Sequence, residues 1–328
     1  MRILFIGPNR IGDAVLASGL LQHLLALHPD ARFTIACGAA AAPLFAAFPQ
    51  LDSLIPMTKE AKGRHWWRLW KRVAAYRWSL VADTRRSVIP WTILARRRVS
   101  VPASTHGRVE HAVTTFARAI DRVDDPPAPH VWMSDDDHER ARALLPPGPA
   151  VLAIGPTANW PGKIWRPEFF LETVRRLTAS SGDGSDAAFA DARIAVFGAR
   201  DERALAAPII CGLAPERTID LVGKVDLPVA AACLKRCDLF IGNDSGLMHM
   251  AAAVGTPTLG LFGPSLPERY GPWGEHTSWV RTDKSLEEIT GAPGYDWRNT
   301  GTLMDTLPVG RVVDAARELH RRMLERAA

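Results

Sequence analysis

Short runs rich in β-branched and aliphatic residues alternate along this chain with longer stretches in which apolar residues recur at helical spacing. That alternation is typical of parallel sheets, because their strands are joined by crossover helices. The predicted strands lie near residues 2–7, 32–37, 53–56, 79–83 and 98–101, and near 150–155, 193–197, 218–222, 238–242 and 257–262. Two such series predict an α/β protein with two doubly wound, Rossmann-like domains.

The two series are separated by residues 124–149, where two proline clusters flank a short predicted helix. Proline-rich stretches between periodic segments are typical of linkers. We therefore predict an N-terminal domain over residues 1–145 and a C-terminal domain over residues 146–308. Residues 309–328 predict a last helix that can pack back across the domain junction.

Charge and composition narrow the setting. The net charge of +5 favours anionic partners, which include nucleotides, phosphorylated lipids, membrane surfaces and nucleic acids. No apolar run reaches the length of a spanning helix, and the N-terminal run is shorter than that of a signal peptide. Cys37, Cys211, Cys233 and Cys237 are expected to be buried thiols of a reducing compartment. The sequence thus predicts a cytoplasmic protein.

The strongest chemical signal is an apolar strand that ends in Gly242-Asn243-Asp244-Ser245-Gly246 and runs into a predicted helix. Ligands of open α/β sheets bind at such strand ends, and a helix start supplies N–H groups and partial positive charge that suit a diphosphate. Ser245 and Gly246 allow close approach of the backbone, and His249 is within reach of the same anion. The alternative is a capped strand-helix turn with a structural histidine.

Further polar residues follow the neighbouring strands of this half. Thr157 and Lys163 lie in the loop after its first strand and are candidate donor-binding residues. A lysine there either pairs with a phosphate or is a solvated surface residue. Glu202 follows the next strand, where a carboxylate can hold ribose hydroxyls. The turn Gly263-Pro264-Ser265 ends the last strand and is expected to flank the same site.

In the N-terminal half, Gly7-Pro8-Asn9-Arg10-Ile11-Gly12-Asp13 joins the first strand to a helix predicted over residues 13–27. Asp13 has two interpretations, since it is either the N-cap of that helix or a general base. The loop lacks both the G-x-G-x-x-G and the G-x-x-x-x-G-K-[ST] patterns, which disfavours dehydrogenases and P-loop enzymes.

Taken together, these segments resemble glycosyltransferase family 9, the bacterial heptosyltransferases that build the inner core of lipopolysaccharide. The resemblance is clearest in Ile11-Gly12-Asp13-Ala14-Val15-Leu16 and in Gly242-Asn243-Asp244-Ser245-Gly246-Leu247-Met248-His249. Weaker similarity covers nearly the whole chain. One departure is Ser18-Gly19-Leu20, which stands where the first helix of the family usually carries a proline.

The resemblance implies the GT-B architecture, in which two Rossmann-like domains face each other across a cleft. It also implies an inverting, metal-independent transfer from a nucleotide-diphosphate sugar held by the C-terminal domain. Asp13 would be the general base, and Lys163 would neutralise the diphosphate. The other donor contacts that it implies are Asp244, Ser245, Gly246 and His249 for phosphate and sugar, Glu202 for the ribose, and the backbone of Val225 for the base.

The acidic run Asp135-Asp136-Asp137 is similar to the metal-binding D-x-D of other transferases. Its position before His138-Glu139-Arg140 favours another interpretation, in which the three acids lie in the first turn of a helix and interact with its dipole. Together with the metal-independent transfer that the resemblance implies, this interpretation leads us to expect neither a metal ion nor another cofactor.

One basic segment, residues 62–72, contains three tryptophans. At helical spacing its two faces consist of Trp66, Trp70 and Val73, and of Arg64, Arg68 and Lys71. Such a helix can lie in an anionic membrane interface or pack its apolar face on the sheet. The hypothesis is that a phosphorylated glycolipid acceptor binds Arg64, Arg68, Arg85, Arg86 and Arg96 to Arg98.

The resemblance favours transfer of a heptose from ADP-heptose to an inner-core acceptor of lipopolysaccharide. The expected partners are then a nucleotide-diphosphate sugar and an anionic glycolipid, with peripheral contact at the cytoplasmic face of the inner membrane and no nucleic acid. Two alternatives stay open: the same fold with another nucleotide sugar or glycan acceptor, and a non-catalytic nucleotide- or nucleic-acid-binding protein. The presence of Asp13 together with Asp244-Ser245-Gly246 favours catalysis, and no nucleic-acid-binding module is recognisable.

Overall fold

The computed structural model describes residues 1–102, 109–179, 189–291 and 295–327. The chain divides into two compact units, with the boundary between Ser134 and Asp135. The first unit contains β1 (Arg2–Ile6), α1 (Ile11–Leu27), β2 (Arg32–Gly38), β3 (Leu51–Met57), α2 (Arg64–Val73), β4 (Trp78–Asp83), α3 (Ile89–Thr92), β5 (Ala95–Ser100) and α4 (Ala112–Ala117). The second contains α5 (Asp135–Leu144), β6 (Val151–Gly155), α6 (Pro167–Leu177), β7 (Arg193–Val196), α7 (Arg203–Gly212), β8 (Thr218–Asp220), α8 (Leu227–Leu234), β9 (Leu239–Asn243), α9 (Gly246–Ala253), β10 (Thr258–Phe262), α10 (Pro267–Tyr270), β11 (Thr277–Arg281), α11 (Leu286–Thr290) and α12 (Val309–Ala327).

The strands of the first unit form one parallel sheet in the order β3-β2-β1-β4-β5. β1 lies at its centre, and all but the first of its residues are buried because helices cover both faces. The chain moves outward from β1 through β2 and β3, then returns to the other side of β1 as β4. The strand order therefore reverses between β1 and β4.

The second unit repeats this plan with the parallel order β11-β10-β9-β6-β7-β8. Here the reversal lies between β6 and β9. The two sheets confirm the predicted α/β class with two doubly wound units, and every predicted strand is present with small displacements of its ends. β11 is absent from the prediction because it is an edge strand in which only Val280 is buried, so its sequence lacks the apolar run of a central strand.

α5 belongs to the C-terminal unit, which moves the boundary from the predicted position after residue 145 to Ser134. The helix packs on α8, and the Arg140 guanidinium lies 3.2 Å from the Asp226 carboxylate. Just beyond the helix, Arg236 Nε donates to the Leu145 carbonyl at 2.8 Å. These contacts assign the short helix to the C-terminal unit, whereas the proline cluster that precedes it belongs to the N-terminal unit.

The C-terminal helix α12 is present as predicted, and it packs on α6 and β11 of its own unit. Its apolar face lies in the core of that unit through Val312, Val313, Ala316 and Leu319. None of the helices in the described part of the chain combines the length and the apolarity needed to cross a bilayer.

α2 covers one face of the first sheet, where Leu69 and Val73 are buried and Trp66 is partly buried. The predicted apolar face of Trp66, Trp70 and Val73 is wrong in one residue, because Trp70 stays exposed and its Nε1 donates to the Thr92 carbonyl at 3.3 Å. Leu69 lies between Trp66 and Val73 at helical spacing, so burying it rotates Trp70 to the rim.

Three of the four cysteines are buried, and the expectation of burial is wrong for Cys211, which is exposed. Burial raises the pKa of Cys37 to about 12 and that of Cys233 to about 11. Both side chains are therefore protonated thiols at neutral pH.

The departure at Ser18-Gly19 has a packing reason. Ser18 Oγ donates to the Val15 carbonyl at 2.6 Å and accepts from the His130 backbone N–H at 2.7 Å. A Cβ atom at Gly19 would overlap the Pro127 carbonyl oxygen. The segment that contains Pro127 and His130 thus lies directly on α1, and any side chain at position 19 would displace it.

We expect Gly19→Ala to lower the free energy of unfolding of the N-terminal unit by about 1–3 kcal/mol, because the added methyl must push the Pro127 backbone away. Urea unfolding followed by circular dichroism measures the change. Gly301→Ala is the matched control, since a Cβ there meets no atom within 4 Å. Equal unfolding midpoints for the two variants would contradict this packing.

Candidate functional site

The residues with the strongest chemical signal lie where the second sheet reverses its strand order. The loop after β6 carries Lys163, and the end of β9 carries Asp244. β6 and β9 are hydrogen-bonded neighbours with Gly155 opposite Gly242, so both loops leave the same edge of the sheet. Ligands of open α/β sheets bind at this position.

Lys163, Asp244 and His249 form one cluster there. Lys163 Nζ lies 2.5 Å from Asp244 Oδ2, and the two side chains are 22% and 6% exposed. Asp244 Oδ1 lies 3.8 Å from Nε2 of the buried His249. The alternative of a solvated surface lysine is therefore wrong. Because an ammonium has three donors and Asp244 takes one, Lys163 can bind an anion without losing its partner.

Asn243 fixes the geometry of this cluster, a role that the sequence analysis does not assign. Its side chain is fully buried, and Nδ2 donates to the Pro156 carbonyl at 2.7 Å. Its Oδ1 accepts from the Trp165 backbone N–H at 3.1 Å. The loop that carries Lys163 is thus tied to the end of β9 at both of its ends. The signal in the sequence is an amide at the end of a strand whose other residues are apolar.

α9 begins without a side-chain cap. Ser245 occupies the N-cap position with φ −148° and ψ 171°, but its hydroxyl makes no capping bond. Its Oγ is buried and has no hydrogen-bond partner among the residues that the structure describes. The alternative of a capped turn is therefore wrong, and the first N–H groups of the helix, starting at Gly246, are available to an anion.

Glu202 and Thr157 come together on the other side of β6. Glu202 Oε2 accepts from Thr157 Oγ1 at 2.7 Å and from the Ala199 backbone N–H at 2.8 Å. Thr157 is buried, and its hydroxyl contacts Glu202. The loop after β8, which carries the half-buried Val225, is joined to the loop after β7 by a backbone hydrogen bond of 3.0 Å.

The turn after β10 lies next to the end of β9, because β10 pairs with β9. Ser265 in this turn is buried, and its Oγ has no hydrogen-bond partner within the described residues. The turn thus flanks the end of β9, as the sequence predicts.

In the first unit, Asp13 also follows a strand at the point of reversal, since its loop begins at the end of β1. The N-cap of α1 is Arg10, so the interpretation of Asp13 as the N-cap is wrong. Asp13 lies in the first turn and is half-buried. The loop is held in place by the Gly38 backbone N–H, which donates to the Pro8 carbonyl at 3.0 Å.

The end of β4 forms the other side of this reversal, and the buried Asp83 organises it. Asp83 accepts from the Arg85 backbone N–H at 2.8 Å, from the Ser87 backbone N–H at 2.6 Å and from Ser87 Oγ at 2.7 Å. Burial raises the pKa of Asp83, and these hydrogen bonds offset part of the rise. Arg86 is exposed with φ 54°, a conformation that this network holds.

The predicted acceptor-side arginines are brought together only in part. The Arg85 guanidinium carbon lies 4.4 Å from the centroid of the Trp66 ring on α2, and its Nη1 is buried with no hydrogen-bond partner in the described ranges. Burial lowers the pKa of Arg85, and the nearby Asp83 offsets part of this. Arg64 and Arg68 are exposed on α2, and Arg68 forms an ion pair with Glu60.

The three acids of Asp135-Asp136-Asp137 occupy the first turn of α5, which confirms their predicted place on a helix. Among the residues with described positions, no three His, Cys, Asp or Glu side chains are grouped as the ligands of a metal ion would be.

Comparison with known proteins places this geometry in a family. The model of glycosyltransferase family 9 (heptosyltransferase) matches residues 72–289. Lipopolysaccharide heptosyltransferase 2 of Salmonella typhimurium is 24% identical, over 82% of this chain and 84% of that protein. The solved structure of a family 9 glycosyltransferase from Veillonella parvula has a TM-score of 0.77 at 20% identity and covers 98% of this chain and 97% of that one. The structure of the E. coli ADP-heptose lipopolysaccharide heptosyltransferase II has a TM-score of 0.74 at 20% identity over 100% of both chains.

The two structural matches show the fold, and the family match covers more than half of the chain. The non-catalytic alternative is thereby excluded, and the predicted resemblance is confirmed. This chain belongs to glycosyltransferase family 9 and is a glycosyltransferase.

Proposed function

We propose that this enzyme transfers a heptose, with inversion, from ADP-heptose to an inner-core acceptor of lipopolysaccharide. The observation that carries the proposal is the cluster of Lys163, Asp244 and His249 beside the uncapped start of α9. The similarity to the Salmonella and E. coli lipopolysaccharide heptosyltransferases supports the choice of sugar and acceptor.

The donor diphosphate binds at the start of α9. The helix N-terminus provides N–H groups and a partial positive charge, and Lys163 provides an ammonium with two further donors. Asp244 holds that ammonium in place, while Lys163 offsets the negative charge of Asp244 that would otherwise repel phosphate. These groups also stabilise the charge that gathers on the departing diphosphate.

The nucleoside extends from the diphosphate toward β7 and β8. Both observed hydrogen bonds to Glu202 end on Oε2, so Oε1 accepts from a ribose hydroxyl. Thr157 holds the carboxylate in that orientation. The backbone of Val225, in the adjacent loop, contacts the base.

Asp13 is the general base. Its carboxylate takes the proton of the acceptor hydroxyl as the hydroxyl oxygen bonds to the anomeric carbon of the heptose. The bond from that carbon to the diphosphate breaks in the same step, which inverts the configuration. In this scheme Lys163 and the α9 terminus balance the charge of the leaving group without a metal ion.

The acceptor is an anionic glycolipid bound by Arg64, Arg68, Arg85 and Arg86. Arg85 is the strongest of these, because a half-buried guanidinium with an unsatisfied N–H gains more from a phosphate than a fully hydrated one does. Since such an acceptor is anchored in lipid, the enzyme works in the cytoplasm at the inner face of the inner membrane, and nucleic acid is not a partner.

A thermal-shift panel of ADP, UDP, GDP and their sugars tests the donor. We expect ADP-heptose to raise the melting temperature most, because the proposal makes it the ligand that binds the folded state most tightly. A ligand at about 100 times its Kd stabilises the folded state by about 2.7 kcal/mol. A clear preference for a uridine or guanosine sugar would instead support the same fold with another donor.

The Asp13→Asn variant is expected to lose about 10²- to 10⁴-fold in kcat while donor affinity is retained, because an amide accepts no proton at neutral pH. Transfer assays give kcat, and calorimetry with ADP-heptose gives the Kd. Asp30→Asn, which changes an exposed acid beyond the end of α1, is the matched control. Near-normal turnover of Asp13→Asn would refute the assignment.

The Lys163→Gln variant is expected to weaken ADP binding by about 10- to 100-fold, because it removes a charge-assisted hydrogen bond to the diphosphate. AMP binding, measured in parallel, should weaken less if the ammonium contacts the terminal phosphate. Lys235→Gln, on an exposed lysine of the same unit, is the control. An equal loss for ADP and AMP would place the ammonium at a group that the two nucleotides share, and unchanged binding of both would refute the contact with the diphosphate.

A further inference from the structure

Exposed apolar side chains are concentrated on one part of the first unit, at α2 and around α3. Trp91, Val88 and Leu94 are 73%, 70% and 61% exposed, and Trp67 is 56% exposed. Trp70 is also exposed, and its bond to the Thr92 carbonyl joins the two helices. We call these five apolar side chains the α2–α3 face. Large apolar groups that are clustered in this way mark an interaction surface.

The inner side of the same helices packs on the sheet of its own unit. Leu69 and Val73 of α2 and Ile89 and Ile93 near α3 are buried in one core on the sheet. None of the five side chains of the α2–α3 face belongs to that core or packs against it among the described residues. The exposed apolar groups therefore lie outside it.

Charge is segregated onto the same segment. Residues 61–98 contain eleven Lys or Arg and a single acid, Asp83, so their net charge is +10. The whole chain has a net charge of +5, which leaves −5 for the rest. Asp83 is buried and bonded within its own turn, so it does not neutralise the surface. The segment presents a strongly positive field.

Two of the tryptophans lie beside cations. Lys71 Nζ is 3.5 Å from the centroid of the Trp67 ring, and the Arg98 guanidinium carbon is 5.4 Å from that of Trp91. Arg98 Nε also donates to the Pro90 carbonyl at 2.6 Å, which holds the α3 turn on the edge of the sheet. Each of these two rings thus has a cation over it. An aromatic ring next to a positive charge is suited to the head-group region of a bilayer.

We propose that the α2–α3 face is a docking surface for an anionic lipid bilayer. Its tryptophans, Val88 and Leu94 enter the head-group region, while the surrounding Lys and Arg contact lipid phosphates. This deepens the proposed function, because it holds the enzyme at the surface where a glycolipid acceptor resides, and it rests on different residues from the donor site.

The apolar side chains decide between a bilayer and a nucleic acid. Aromatic rings flanked by cations can also stack on bases, but Val88 and Leu94 offer no plane for stacking and no hydrogen bond to a base. In the bilayer interface the same two side chains are removed from water. The mixture of aliphatic and aromatic groups therefore favours lipid.

Sedimentation with vesicles tests the proposal. We expect the protein to bind vesicles of equal parts phosphatidylglycerol and phosphatidylcholine, to bind pure phosphatidylcholine vesicles at least about ten-fold more weakly, and to be released by salt. The double variant Trp67→Ser/Trp91→Ser should lose about ten-fold in binding. The matched control, Trp279→Ser/Trp297→Ser, changes two exposed tryptophans of the other unit and should bind as the unchanged protein does.

A second variant, Lys71→Ser/Arg72→Ser, keeps the tryptophans and should also lose binding to anionic vesicles. Circular dichroism checks that each variant is folded. Unchanged vesicle binding in both folded variants would overturn the proposal. It would also be overturned by a single-stranded oligonucleotide that displaces the protein from vesicles and whose binding is lost in the same two variants. Vesicle binding is measured without nucleotide, so failure of the ADP-heptose assignment leaves this result readable, and the reverse also holds.

Discussion

Parallel pairing around a central strand is the constraint on which the rest of this structure depends. In each sheet the first strand of the unit lies between the second and the fourth, so the chain must reverse its direction of travel beside it. The helices that leave the two strands at that point pass to opposite faces of the sheet, and a crevice opens between their connecting loops. Asp13 and Arg85 lie at this place in the first unit, and Lys163 and Asp244 in the second.

The ion pair between the half-buried Lys163 and the buried Asp244 bears on the purpose of such a position. Removing two charges from water costs several kcal/mol per ion, and an apolar pair of the same volume often stabilises a fold as well or better. Stability is therefore a weak reason for this pair. Asn243 adds to the argument, because it commits a fully buried amide to holding the loop that carries the lysine. The buried Asn243 with its hydrogen bonds and the buried Asp244 together fix the position of the Lys163 ammonium.

The sequence predicts the central strands and the site residues that follow them, because a buried strand is a continuous apolar run and its end is marked by small and polar residues. It does not predict β11 or the face of α2, since an edge strand and a half-exposed helix contain mixed residues whose burial is decided by tertiary contacts. The position of α5 fails for the same reason, because its contacts with α8 are distant in sequence. The hydrogen bonds of Asn243 also join segments that only the folded sheet brings together.

The two units handle charge in opposite ways, and this follows from what each is proposed to bind. In the C-terminal unit Lys163 is matched to an internal acid and loses most of its water, so it acts at short range on one diphosphate. In the N-terminal unit most of the basic residues of positions 61–98 are exposed and the segment contains a single acid, so their field is long-ranged but screened by salt. A small, mobile nucleotide sugar needs the first arrangement, because its orientation must be fixed at the reacting bond. A large acceptor held in a charged surface needs the second, because the enzyme must first be attracted to that surface before any single contact can form.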